Sequence, residues 1–186
     1  MAELAEHFRT MSRNNLWSNH RLHQACARLS PAVYFRDCGA FFQSIHRTLN
    51  HILVVDHFYL AALRGEAPTG GRLDEQRCVD LRTLAATQST SDRALLAFCD
   101  SLTDESLGLA VRWTDTKGLT CADPIHVVLA HLFLHQIHHR GQVHSMLSIA
   151  GDRPPQLDEF LLSCDAPLRD AEVRALGLEE SDNDRT

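Results

Sequence analysis

From Asp123-Pro124 to Gly151 the chain reads as one long helix, and the stripe that should face a core carries imidazoles among its apolar residues. Five of the twelve histidines fall between His131 and His144. At about 100° per residue, His131, His139, His138 and Gln142 lie within about 60° of His135, and Val128, Met146 and Ile149 lie within about 40° of it. Burying imidazoles without partners costs about 1 to 3 kcal/mol for each unsatisfied group. Such a helix cannot sit against a purely apolar surface; it needs facing elements that supply polar or metal partners.

Three further helices are predicted. The first runs from Glu3 to about Leu29, with Leu4, Phe8, Met11, Leu22, Ala25 and Leu29 in helical spacing, and Ser30-Pro31 breaks it. A second spans about Ala40 to Leu63, before the loop Arg64-Gly65-Glu66-Ala67-Pro68 and Gly70-Gly71. A third spans about Cys78 to Leu102, with a break or new N-cap possible at Ser89-Thr90-Ser91-Asp92. Residues 108–121 read as a short β-hairpin around Asp115-Thr116-Lys117-Gly118. Asp123 is expected to cap the fourth helix, with Pro124 at its first position. Leu157 to Leu162 suits a turn of helix, and Glu179 to Thr186 a charged, frayed tail. The reading is all-α: a four-helix bundle over residues 1–165 with a hairpin between the third and fourth helices, then a partly disordered extension over 166–186.

Composition narrows the function. A net charge of -6 and no basic run disfavour nucleic acid. No stretch is apolar for the roughly 18 residues a membrane span needs, and the amino terminus lacks the apolar core of a signal peptide. A cytoplasmic protein is expected. The six cysteines are scattered, without a Cys-x-x-Cys pair, so neither a thiolate zinc site nor a disulfide framework is signalled.

His135 and His139 are one helical turn apart, the spacing that lets two imidazoles bind one metal from one helix. His51 is the best-placed third ligand, because Ser44, Val55, Phe58 and Ala62 lie within about 40° of it, whereas His46 and His57 fall on other faces. A lone histidine on an apolar face is usually a satisfied core residue; two independent helices placing histidines on their inward stripes reverse that reading. His131, His138 and Gln142 are expected to line the site or hydrogen-bond to the ligands, and His20, His23, His126 and His144 to lie at the surface or an interface. Asn15 and Ser18, with Gln88 and Ser91, turn two other seams polar at mid-height and predict a polar cavity there. Asp56, about 140° from His51, is expected to face away, leaving no evident general base.

Three neutral imidazoles suit one zinc, nickel or iron(II) ion, and leave a coordination position for water or substrate. This favours catalysis on a small molecule, either thiol activation or hydrolysis by metal-activated water; the other reading is a non-catalytic metal-binding dimer or sensor. Leu129, Phe133, Ile137 and Leu147 form a second apolar face on the fourth helix, which predicts a homodimer.

The segment Phe41-Phe42-Gln43-Ser44-Ile45-His46-Arg47-Thr48-Leu49-Asn50-His51-Ile52-Leu53 and the His139-Arg140-Gly141-Gln142 core resemble the DinB family of the DinB/YfiT-like superfamily. So do Asn15-x-Trp17-x-Asn19 and Pro154-Pro155-x-x-Asp158, and the resemblance covers about residues 5 to 162. It implies an often dimeric four-helix bundle holding one metal through His51, His135 and His139. It also implies a thiol-dependent S-transferase acting on small electrophiles, with a low-molecular-weight thiol as co-substrate. Leu134 departs from the pattern, since relatives often carry Asn before the first histidine of the pair, and the departure bears on ligand orientation.

Overall fold

The computed structural model describes residues 4–66, 73–114 and 118–179. It is mainly helical: α1 (Leu4–Cys26), a short α2 (Pro31–Tyr34), α3 (Ile45–Leu63), α4 (Leu81–Asp100), α5 (Ile125–Ile149) and α6 (Ala166–Leu176). Strands β1 (Ala110–Thr114) and β2 (Thr120–Pro124) pair antiparallel between α4 and α5, with Trp113 opposite Cys121. The four predicted long helices are α1, α3, α4 and α5, and the hairpin falls where the sequence placed it. No helix is long and apolar enough to cross a membrane, among the described residues.

Local chemistry moves several boundaries. Helix α3 starts at Ile45, later than expected, because the Ser44 side chain accepts from Arg47 N–H and caps it. The preceding residues make a tight turn in which Gln43 adopts φ 67, a left-handed conformation. Helix α4 runs unbroken through Ser89–Asp92, because Ser91 and Asp92 are buried on its inner face, and its cap is Asp80, accepting from Thr83 N–H. Asp123 does not cap α5: it pairs with Val111 in the hairpin, and the helix begins one residue after Pro124. Residues 157–162 form bends and turns without helix, and the helix lies further on as α6, closed by Gly177 at φ 65. Residues 67–72, 115–117 and 180–186, which include much of the predicted loop, turn and tail, lie outside the described residues.

Each long helix packs on two others, α1 and α3 both contacting α4 and α5. The core is layered. At one end Phe8, Leu60, Leu95, Leu129 and Phe133 pack together; at the other, Leu22, Leu49, Leu53, Leu84, Val143 and Leu147. These clusters place the N-terminal ends of α1 and α5 with the C-terminal ends of α3 and α4. The middle layer is polar.

This layering corrects the orientation of α5. Leu129, Phe133 and Leu147, expected to seek a partner, are buried in the chain's own core, and only Ile137 of that face is exposed, at 48%. The buried arc of α5 centres near Gln136 and Val143, about 90° from His135. The helix carries apolar residues on nearly every side, so the wheel offered two candidate inner faces and the histidines marked the edge of the true one.

Candidate metal centre

His51 on α3 meets His135 and His139 on α5 along the seam between the two helices. One nitrogen from each of the three lies within 4.8 Å of the others, and the Nε2 atoms of His51 and His135 are 3.0 Å apart. Among the described residues this is the only such cluster of histidine, cysteine or acidic side chains. His139 is buried, at 8% exposure, while His51 and His135 are half-buried.

Hydrogen bonds assign two of the three tautomers. His51 Nδ1 is 2.6 Å from the Leu73 carbonyl, which only accepts, so Nδ1 carries the proton and Nε2 presents its lone pair to the cluster. His139 Nδ1 donates to Gln142 Oε1 at 2.8 Å with the same result, and Gln142 Nε2 reaches His138 Nε2 at 3.1 Å. His135 differs: its Nδ1 is buried without a partner among the described residues. Leu134, the departure noted in the sequence, is exposed and does not supply one.

Burial first, and then the neighbouring imidazoles His139 and His51, hold His135 down to about 3. Burial likewise brings His139 down to about 4, against the opposing hydrogen bond from Gln142, and lowers His51. The rings are neutral at physiological pH, the state a metal requires. Ring nitrogens converging within 4.8 Å, in neutral imidazoles of which two have their proton held on Nδ1, fit a divalent cation.

Of the predicted neighbours, Gln142 touches a cluster histidine through a hydrogen bond, His138 through ring packing on His139 at 4.8 Å, and His131 instead packs on Tyr59 at 5.1 Å. His46 bonds to Tyr34 and Asn50, away from the cluster. His23 is buried in the chain, contrary to its expected surface or interface position, with Nδ1 unpartnered among the described residues. Phe42 was not predicted: its ring stacks on His51 at 4.1 Å and meets His139 edge-on at 5.4 Å. The left-handed Gln43 turns the chain immediately after it.

Behind the trio, the middle layer of the bundle is a closed ring of buried polar side chains. Arg140 donates to Asn15, to Asn19 and to Gln136. Asn15 and Asn19 donate to Asp92 at 3.1 and 2.9 Å, Gln88 donates to both Asp92 and Asp56, and Gln136 donates to Asp56. Asp56 does turn from His51, but into this ring. The predicted polar cavity is thus filled by the protein's own groups, and the histidines lie at its margin. Gln136 and Arg140, one turn apart on α5, were the overlooked signal: an amide and a charge on the same arc as Leu132 and Val143.

A helical bundle with a three-histidine cluster between two of its helices defines a class of proteins with a candidate metal centre. The chain belongs to the DinB family, whose model matches residues 1–168. No curated protein gives a significant match. Among solved structures, a DinB-like protein from Bacillus subtilis aligns with TM-score 0.59 and 20% identity, over 79% of this chain and 96% of that one. A DinB-like protein from Bacillus cereus aligns with TM-score 0.57 and 20% identity, over 75% and 90%. These similarities establish the fold.

Proposed function

We propose that the protein is a metal-dependent enzyme in which His51, His135 and His139 hold one zinc, nickel or iron(II) ion, transferring a low-molecular-weight thiol to a small electrophile. The observation that carries the reading is the three-histidine cluster with its pair of tautomer locks, Leu73 on His51 and Gln142 on His139, which leave Nε2 of both rings unprotonated. When bound, such an ion supplies Lewis acidity and favours a thiolate over a thiol.

In the transfer, sulfur forms a bond to the electrophilic carbon, the electron pair leaves with the departing group, and the thiol proton passes to solvent. The chain's residues position and exclude: Phe42 covers one side of His51, and the neutral rings offer no competing charge. A hydrolase would differ in needing no thiol. A metal-storing or sensing role would need a further protein ligand, whereas the cluster holds three donors.

The six unpaired cysteines suit a reducing, cytoplasmic compartment. A homodimer remains part of the proposal, with a different surface: a groove of about 440 Å³ lined by Met11, Ile137, Gly141 and Leu161, with exposed Leu134 on the same face of α5 as Ile137.

The test is elemental analysis of untagged protein, comparing wild type with His51→Ala and His135→Ala. About one metal per chain, lost in both variants, is expected; a metal-free, folded wild type would sink the reading.

A further inference from the structure

The imidazole cluster lies between two runs of packed rings. Phe41 packs on Phe42 at 4.8 Å, Phe42 on His51 at 4.1 Å, and His51 on His135 at 4.9 Å. One turn before His135, His131 packs on Tyr59 at 5.1 Å, and Tyr59 on Trp113 of the hairpin at 5.6 Å. The loop before α3 therefore supplies one end of the band and β1 the other, with the metal-binding nitrogens between them.

None of the flanking rings is fully buried, although Tyr59 packs on the core. Phe41 is 87% exposed, His131 is exposed, and Phe42, Tyr59 and Trp113 are only partly covered. Large side chains held partly in water on both flanks of a candidate centre forgo the burial they would gain in the interior unless something else covers them.

We infer that this band is a trough for a planar aromatic small molecule, which lies along the rings and directs a donor atom toward the histidines. The inference rests on the proposed metal centre for that donor, but the stacking surface is independent of it. Aromatic faces pair with offset or edge contacts that a saturated ring of the same carbon skeleton cannot reproduce.

The test is isothermal titration of the full chain with 2-naphthol and with decahydro-2-naphthol, in metal-free and metal-loaded protein. The aromatic probe is expected to bind roughly tenfold more tightly in both forms, the factor that one or two ring contacts supply. Trp113→Leu and Phe41→Ser should each shrink the preference at least threefold. Phe41→Ser alters a side chain already in solvent, so its result does not depend on hairpin folding.

Equal binding of the two probes, or a preference that survives both substitutions, overturns the trough. One metal per chain with no aromatic preference would defeat this inference alone; a preference in a chain that binds no metal would defeat the metal reading and leave the trough standing. A second copy seated on the band would compete with the probe, so affinity that falls as protein concentration rises also counts against it.

Discussion

His51 Nε2 lies 3.0 Å from His135 Nε2, although the Leu73 carbonyl already holds the His51 proton on Nδ1. In the metal-free chain His135 therefore turns its own proton toward His51, and its buried Nδ1 has no partner in either tautomer among the described residues. A metal bound only by the native state should stabilise the fold by mass action. At free metal one hundred times its Kd, unfolding should cost about 2.7 kcal/mol more. Thermal melts with and without a chelator measure this, and no difference between them would contradict a metal bound only by the native state.

Gln142 gives the sharpest separation of ligand positioning from folding. Gln142→Ala removes the acceptor that fixes the His139 tautomer but leaves a good helix former on a partly exposed face. Metal affinity should fall about 10- to 100-fold with little change in the melting temperature of the metal-free protein. Titration with a competing chelator reads the first quantity and calorimetry the second.

The histidines make the metal-free protein acid-sensitive. His135 at about 3 and His139 at about 4 stand below the ordinary value of 6.5, chiefly through burial. The unfolded chain then binds more protons below about pH 6.5, so stability is full above that value and declines as pH falls toward 4. Urea melts of the chelated protein at pH 7 and pH 5 should show this loss as the difference in pH dependence between wild type and His135→Ala, because the buried carboxylates act in the opposite sense over the same range. A loss of the same size in that variant would place the acid sensitivity elsewhere.

The buried ring should produce the opposite slope, from about pH 4 upward. Burial pushes Asp56 up to about 7 and Asp92 to about 8, the second also through Asp56 itself. Two carboxylates share one guanidinium, so the folded protein retains a proton that the unfolded chain releases near pH 4. Stability is therefore lost as pH rises toward 8. Asp92→Asn should remove much of that slope, whereas Arg140→Met should destabilise by about 3 to 5 kcal/mol by leaving buried carboxylates without a counter-charge. A slope unchanged in Asp92→Asn would show that the pair is not its source.

The bundle and the trio were legible in the sequence for one reason: both depend on local spacing. One turn separates His135 from His139, and Pro31, Gly65 and Gly151 punctuate the helices. The ring was not legible, because Asp56, Asp92 and Arg140 are residue types that usually face water, and their burial depends on four helices converging at one height. The inner face of α5 was misplaced for a related reason. Leu129, Phe133 and Leu147 are buried together with Val128 and Met146, and only the packing of α1 and α3 against α5 centres the buried arc between the two sets and leaves Ile149 exposed.

The C-terminal helix should unclasp when Arg21 is lost. Arg21 Nε contacts Glu172 at 2.6 Å, and the same carboxylate accepts from Trp17 Nε1 at 2.8 Å, while Arg21 also reaches Glu159 and the Leu168 carbonyl. Arg21→Ala should cost about 1.5 to 3 kcal/mol, the range for hydrogen bonds to charged groups. Hydrogen exchange should rise over residues 166–176 while α3 stays protected. Uniform acceleration through all the helices would mean that α6 does not open separately.

Gly141 tests the dimer surface. A Cβ added there meets nothing within 4 Å, so the chain itself gives no steric reason for glycine in the interior of α5. For an isolated protomer Gly141→Ala should raise stability by about 0.5 to 1 kcal/mol, through backbone entropy and helix propensity. If a second copy approaches the groove beside Ile137, the new methyl group instead meets the partner, and Ile137→Asp places a charge in the same contact. Sedimentation should then show a wild-type dimer, weakened by Gly141→Ala and abolished by Ile137→Asp. A dimer indifferent to both substitutions would have its interface elsewhere, and a wild-type monomer would reduce the groove to ordinary surface.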